Sequence, residues 1–221
     1  MTDILYRWPE AAKFDRRVPK EKFYEHGTVS TAIREKFIAE VRRITWAYKL
    51  AETTINLPAT PAVPEVQVFT IAAKTNDVGE AVLGAIDKAI PFPIIFEITR
   101  SVAEPPEVRT VAAHKQLGAG APKFSAYYST GWHPGDADRQ PLPTAINLPA
   151  LYVALLQPLM PITARPGEEM SDVADRLATV RGLEREIAAL ERKLRTEPQF
   201  NRKVELRRTL KTKQHELEQQ R

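Results

Sequence analysis

Hydrophobic positions along the chain change period several times, and each change marks an element. Ile33, Phe37 and Val41 fall four apart, with Arg34, Glu35, Arg42 and Arg43 on other faces, which predicts a helix capped by Ser30 or Thr28. In ITWAYKL (44–50) the period drops to two: Ile44, Trp46, Tyr48 and Leu50 alternate with Thr45, Ala47 and Lys49, the pattern of a half-buried strand. Pro58, Pro61 and Pro64 mark a loop before a second, β-branched strand, EVQVFTIAA (65–73). A helix is expected over 77–89 with Val82, Leu83 and Ile86 inward, and PFPIIFEIT (91–99) reads as a buried strand. The stretches 107–115 and 123–130 pair naturally around Gly118–Gly120 as a hairpin, and 148–160 reads as a short helix with Pro149 in its first turn.

Beyond residue 170 the chain reads as helix. Val173, Leu177, Val180, Leu183, Ile187, Leu190 and Leu194 approach the 3–4 alternation of a coiled-coil seam, with Gly182 as its least favourable interior residue. Pro198 cannot sit mid-helix, and Thr196 with Gln199 three residues on fits a capping box opening a second helix. That helix carries Phe200, Val204, Leu206, Leu210 and Leu217, so the two are expected to fold back as an antiparallel hairpin. The fold class predicted is α/β (α+β): a single domain with a mixed β-sheet and flanking helices, plus a C-terminal antiparallel helical hairpin of coiled-coil type. The organisation is an arm over 1–28 packed on the body, an α/β domain over 29–162, and a linker with basic hairpin over 163–221.

Charge sharpens this division. Residues 176–221 hold 13 Lys and Arg against 7 Asp and Glu, whereas the 221-residue chain as a whole is only +4, leaving 1–175 slightly acidic. The hairpin tip gathers Arg195, Phe200, Arg202, Lys203, Arg207 and Arg208 as candidate contacts for a partner protein or a nucleic-acid backbone. A hairpin pairing between protomers would instead make a self-associating structural protein. The chain has no cysteine, its first residues are charged where a signal peptide needs an apolar run, and no stretch approaches a membrane span, so a cytoplasmic protein with no membrane partner is expected.

No finished catalytic signature is present. The sharpest enzyme reading is a metal-dependent nuclease of PD-(D/E)xK type, degenerate or active, with Glu40, Glu65, Gln67 and Asp87 as candidates around Mg²⁺. Against it, Gln67 stands where that motif needs lysine, and no Pro-Asp precedes it at the right distance. Trp46, Tyr48, Lys49, Thr54 and Asn56 form a candidate pocket, with turn-organising as the alternative role for the Thr and Asn. His26, His114, His133 and His215 lack metal spacing, so no metal site and no cofactor is expected outside the Mg²⁺ of the nuclease reading. LGAGAPK (117–123) lacks the ending of a phosphate loop.

VPKEKFYEH (18–26), ITWAYKLAETTINLP (44–58), PEVQVFTI (64–71), AIDKAIPFPIIFEI (85–98), VAAHK (111–115), QPLPTAINLPALYVALLQPLMP (140–161) and EPQFNRKVEL (197–206) occur in this order. Together they resemble a bacterial family called domain of unknown function 4391. The resemblance implies an accessory protein of restriction-modification-like or anti-phage defence loci, beside DNA methyltransferases and helicases. The functional expectation is therefore a non-catalytic interaction subunit that docks a helicase or methyltransferase and contacts the DNA backbone.

Overall fold

A computed structural model describes residues 4–24, 29–101, 104–117, 122–162, 164–165 and 168–221. The chain divides into two compact units, Met1–Pro161 and Ile162–Arg221.

The first unit is one mixed sheet in which strand order follows chain order. It runs β1 (Lys13–Val18), β2 (Val41–Ala51), β3 (Glu65–Ala73), β4 (Ile94–Arg100), β5 (Glu107–Gln116) and β6 (Lys123–Ser129), and a two-residue β7 (His133–Pro134) also pairs with β5. Neighbours are antiparallel except β3 and β4, whose parallel pairing needs a crossover. That crossover is helical, as the sequence predicts.

Helix α1 (Glu21–Tyr24) is one turn, and α2 (Thr31–Glu40) follows it. Ser30 caps α2, its hydroxyl accepting from the Ile33 amide at 3.4 Å. Thr28, the other candidate cap, and the Gly118–Gly120 turn lie outside the described residues. Helix α3 (Glu52–Ile55) is a single turn closed by Asn56 in the left-handed region, φ 54°. Helix α4 (Glu80–Ala89) is the crossover between β3 and β4. Phe37 of α2 and Val82, Leu83 and Ile86 of α4 pack on Ile44, Phe69, Ile71, Phe96 and Ile98 of the sheet. Each such side chain contributes about 1.5–3 kcal/mol when fully removed from water. Val41, expected on the first helix, is buried but already belongs to β2.

The opposite sheet face is covered by α5 (Leu148–Leu156), whose Tyr152 ring stacks on His114, and by the N-terminal arm. Asn147 caps α5, accepting from the Ala150 amide at 2.8 Å, and Pro149 occupies its first turn. The arm contains β1, which the sequence reading did not anticipate as a strand. Tyr6 bridges to Gln140, and Leu5, Tyr6 and Trp8 are buried.

The second unit is the expected helical pair, α6 (Met170–Thr196) and α7 (Phe200–Gln220). Val173, Leu177, Val180, Leu183 and Ile187 of α6 are buried, in register with the predicted seam. Lys213 of α7 pairs with Glu186 of α6 at 3.2 Å, and the Arg176 guanidinium donates to the Gln220 carbonyl at 2.9 Å, which fixes the antiparallel sense. The capping box does not form. Helix α6 continues through Thr196, whose hydroxyl donates back to the Arg192 and Lys193 carbonyls, and α7 opens at Phe200 without a side-chain cap. Phe200 and Val204 also leave the seam: they are 74% and 49% exposed, while Leu206, Leu210 and Leu217 are half-buried. Among the described residues no helix is long and apolar enough to cross a membrane.

Candidate functional site

Four polar side chains lie across the sheet on the face opposite Phe69 and Phe96. Thr45 pairs with Thr70, Thr70 with Glu97, and Glu97 with Thr110, so register places one polar row over β2, β3, β4 and β5. Glu97 is only 6% exposed. Its Oε1 accepts from the Trp8 indole Nε1 at 2.9 Å and pairs with the Arg139 guanidinium at 2.6 Å. Arg139 also donates to the Tyr6 carbonyl at 2.8 Å, so one carboxylate ties the arm and the 131–148 loop to the sheet. Neutralised this way, the buried charge is tolerated.

Over this row opens a cleft of about 780 Å³, with Arg7, Trp8, Glu10, Asp15, Arg43, Thr45, Tyr48, Thr70, Glu97 and Arg139 in its walls. The Tyr48 ring is half-buried, with the Trp8 ring behind it at 6.1 Å. Among the described residues, the hydroxyls of Tyr48, Thr45 and Thr70 and the guanidinium of Arg43 form no hydrogen bond or ion pair. None of these groups except Tyr48 was singled out from sequence. The signal available was Glu97, a carboxylate inside the apolar run IIFEI, because a buried acid must find partners.

The nuclease candidates separate. The Glu40 carboxylate accepts the Gly79 amide at 2.7 Å, beyond the far end of β3 from Glu65. Nine residues of β3 put those ends about 26 Å apart. Glu65 is buried against Gln67, which donates to it, and pairs with Lys49 at 3.0 Å. Asp87 sits in the last turn of α4 and pairs with Lys115 at 3.0 Å, while Tyr127 donates to its other oxygen. No three-carboxylate site results, and among the described residues no group of three or more His, Asp or Glu side chains could hold a metal ion.

The Asp87 cluster is structural. The Lys115 ammonium, buried at 2% exposure, also donates to the Asp87, Ile90 and Phe92 carbonyls at 2.7–2.9 Å, where α4 runs out of its own amides. Burial pushes the Asp87 carboxyl up and the Lys115 amine down, and each group's attraction to the other opposes the shift. Burial also raises Tyr127 and Tyr152, the latter accepting the Lys115 amide at 2.9 Å.

The predicted pocket of Trp46, Tyr48, Lys49, Thr54 and Asn56 is likewise dispersed. Trp46 faces the apolar core, its ring stacked on Phe69 and its Nε1 donating to the Tyr48 carbonyl at 3.0 Å. Lys49 belongs to Glu65. The Thr54 hydroxyl accepts the Ala51 amide and donates to the Lys49 carbonyl, and Asn56 ends α3, so both organise the turn. Only Tyr48 reaches the cleft, because the bulge between Trp46 and Tyr48 shifts the alternation of β2.

On the hairpin, Arg195, Phe200, Arg202, Arg207 and Arg208 are exposed and Lys203 is half-buried. None of these five cations forms an ion pair among the described residues. Near the other end, Arg176 pairs with Glu168 at 2.7 Å, and Arg221 with Glu184 at 2.9 Å.

A mixed-sheet α+β body with a polar cleft, followed by a basic helical hairpin, is the class of protein these features define. The chain belongs to the family described as Domain of unknown function (DUF4391), which matches residues 7–217. Neither the curated proteins nor the solved structures give a match.

Proposed function

We propose that this protein is a non-catalytic interaction subunit whose hairpin tip docks a DNA-processing partner, a helicase or methyltransferase of the same restriction-modification-like or defence locus. The observation that carries this reading is the tip itself. Phe200 and Val204 stand exposed one turn apart on α7, and Arg195, Arg202, Lys203, Arg207 and Arg208 around them have no ion-pair partner among the described residues. Two apolar side chains left in water on a helix whose seam lies elsewhere suit an anchor entering a partner's pocket, and the cations suit an acidic rim. The separation of Glu40, Glu65 and Asp87 gives the nuclease alternative no comparable support.

The test is co-elution of the full chain with the helicase and the methyltransferase of its locus, followed by affinity measurement. Phe200→Ser with Val204→Ser removes two exposed side chains and should weaken the complex about 30-fold, the equivalent of roughly 2 kcal/mol for an anchor. Equal affinity of native and variant chains defeats the reading. So does a mass that rises with protein concentration and falls back to the monomer in the variant, because the tip then serves self-association.

A further inference from the structure

The cleft on the body does not take part in the hairpin reading, and its chemistry points to a ligand of its own. Arg43 lines both the cleft and a narrower depression of about 120 Å³ formed with Arg17, Lys20, Glu21 and Arg42. Arg17 faces Thr45 across the β1–β2 pair, so the depression continues the line of the polar row toward the sheet edge. Arg17, Arg42 and Arg43 are exposed, and none has an ion-pair partner among the described residues. The Lys20 ammonium is held between the Phe37 and Val41 carbonyls; its pKa is lowered by burial and then by the Lys74 charge.

The acids do not cancel this charge. In the cleft, Glu10 pairs with Lys13 at 2.9 Å and Glu97 with Arg139 at 2.6 Å, leaving Asp15 at the rim. In the depression, Glu21 is the one carboxylate among the described residues; it accepts from the Tyr24 hydroxyl at 3.3 Å and keeps its charge, against the four cations Arg17, Lys20, Arg42 and Arg43. The uncommitted groups are thus an aromatic face, three hydroxyls and a file of guanidiniums, with the Asp15 carboxylate at the rim as the acid that the file outnumbers.

We propose that cleft and depression together form a track for single-stranded nucleic acid. One base enters the cleft against Tyr48, and the adjoining phosphates lie on Arg43, Arg42 and Arg17. The volume suits one unpaired nucleotide, and an aromatic face accepts any base. The hydroxyls of Tyr48, Thr45 and Thr70 both donate and accept, so they satisfy a base edge without selecting one base. Guanidinium forks match phosphate oxygens and release counterions on binding. A duplex cannot present an unstacked base to such a cleft, so the track discriminates strand state rather than sequence.

Fluorescence anisotropy of the full chain with labelled eight-nucleotide oligothymidylate, oligouridylate and a duplex of equal length tests this. Both single strands should bind at low salt, and the duplex should bind at least tenfold more weakly. Arg43→Gln should weaken binding roughly tenfold and reduce the salt slope by about 0.7, the share of one phosphate on a single strand. Tyr48→Leu should weaken binding roughly tenfold with the slope unchanged. Three results overturn the proposal. The first is no saturable binding of either strand. The second is binding indifferent to Arg43→Gln and Tyr48→Leu but lost on Arg202→Gln with Arg207→Gln and Arg208→Gln, which assigns it to the hairpin. The third is thymidine monophosphate binding as tightly as the octamer, which makes the cleft a free-nucleotide site. Because Phe200 and Val204 are untouched in the cleft variants, failure here is separable from failure of partner docking.

Discussion

The buried Asp87–Lys115 cluster of the body and the cations at the hairpin tip place similar chemical groups in opposite surroundings. At Lys115 every donor is spent, on one carboxylate and three carbonyls, and the surrounding burial makes that geometry obligatory. At the tip, Arg195, Arg202, Lys203, Arg207 and Arg208 pair with no carboxylate among the described residues. What separates the two sets is the hydrogen-bonding capacity left over, not the residue type. The cleft lies between these extremes: Glu97 Oε1 is held by Trp8 and Arg139, while the neighbouring Thr45, Thr70 and Arg43 side chains are not engaged among the described residues.

The largest effect should come from breaking the spent side of that contrast. Lys115→Met leaves the Asp87 carboxylate and three carbonyls buried without their partner, and should cost about 3–5 kcal/mol in urea unfolding. Phe200→Ser, at the unspent side, should change stability by no more than about 0.5 kcal/mol. If the two variants unfold alike, the contrast is false.

Next in size is Gly182→Ala. A Cβ at Gly182 meets nothing within 4 Å, so the substitution should stabilise the helical unit by about 1 kcal/mol, visible as a higher unfolding midpoint in helical circular dichroism. A loss of stability there would show that the glycine is needed for packing.

The smallest effect concerns Glu168, whose carboxyl is held down to about 2 by hydrogen bonds from Arg176 and then the Arg165 amide. A depressed folded-state pKa adds stability above the unfolded value of about 4.3 and loses it as pH falls toward 2. Carbon-detected NMR titration should find that low midpoint, and Glu168→Gln should remove the corresponding part of the acid limb. An ordinary Glu midpoint would mean that the paired end is as loosely held as the tip.

Periodicity made most elements legible: EVQVFTIAA (65–73) coincides with β3, and Val173, Leu177, Val180, Leu183 and Ile187 of the seam expected on α6 are buried, while Leu190 and Leu194 are half-buried. Strand β1 escaped because KFDRRV has no alternation; it is an exposed strand whose identity comes from its pairing with β2. The capping box at Thr196 obeyed the local rule, yet the hydroxyl bonds helical carbonyls instead, so α6 includes Thr196 and α7 opens only at Phe200. The cleft was harder still. Trp8, Glu97 and Arg139 meet only through tertiary structure, and no local pattern in a single sequence brings an arm, a strand and a loop together. The dispersal of Trp46, Tyr48, Lys49, Thr54 and Asn56 has the same origin, since a bulge in β2 sent near neighbours to different surroundings.

Strand order that follows chain order also governs how the molecule comes apart. Arg100 and Glu107 join strands across 7 residues, whereas Trp8 reaches Glu97 across 89. Closing the longer span costs about 2 kcal/mol more in chain entropy. The residues ahead of β1 are therefore held by the longest closures in the arm, and local opening is expected to start there. Since Trp8 forms a wall of the cleft, the concavity over Thr45 and Thr70 exists only while that long tether holds. Its lifetime is set by the arm's fraying rather than by the sheet's stability.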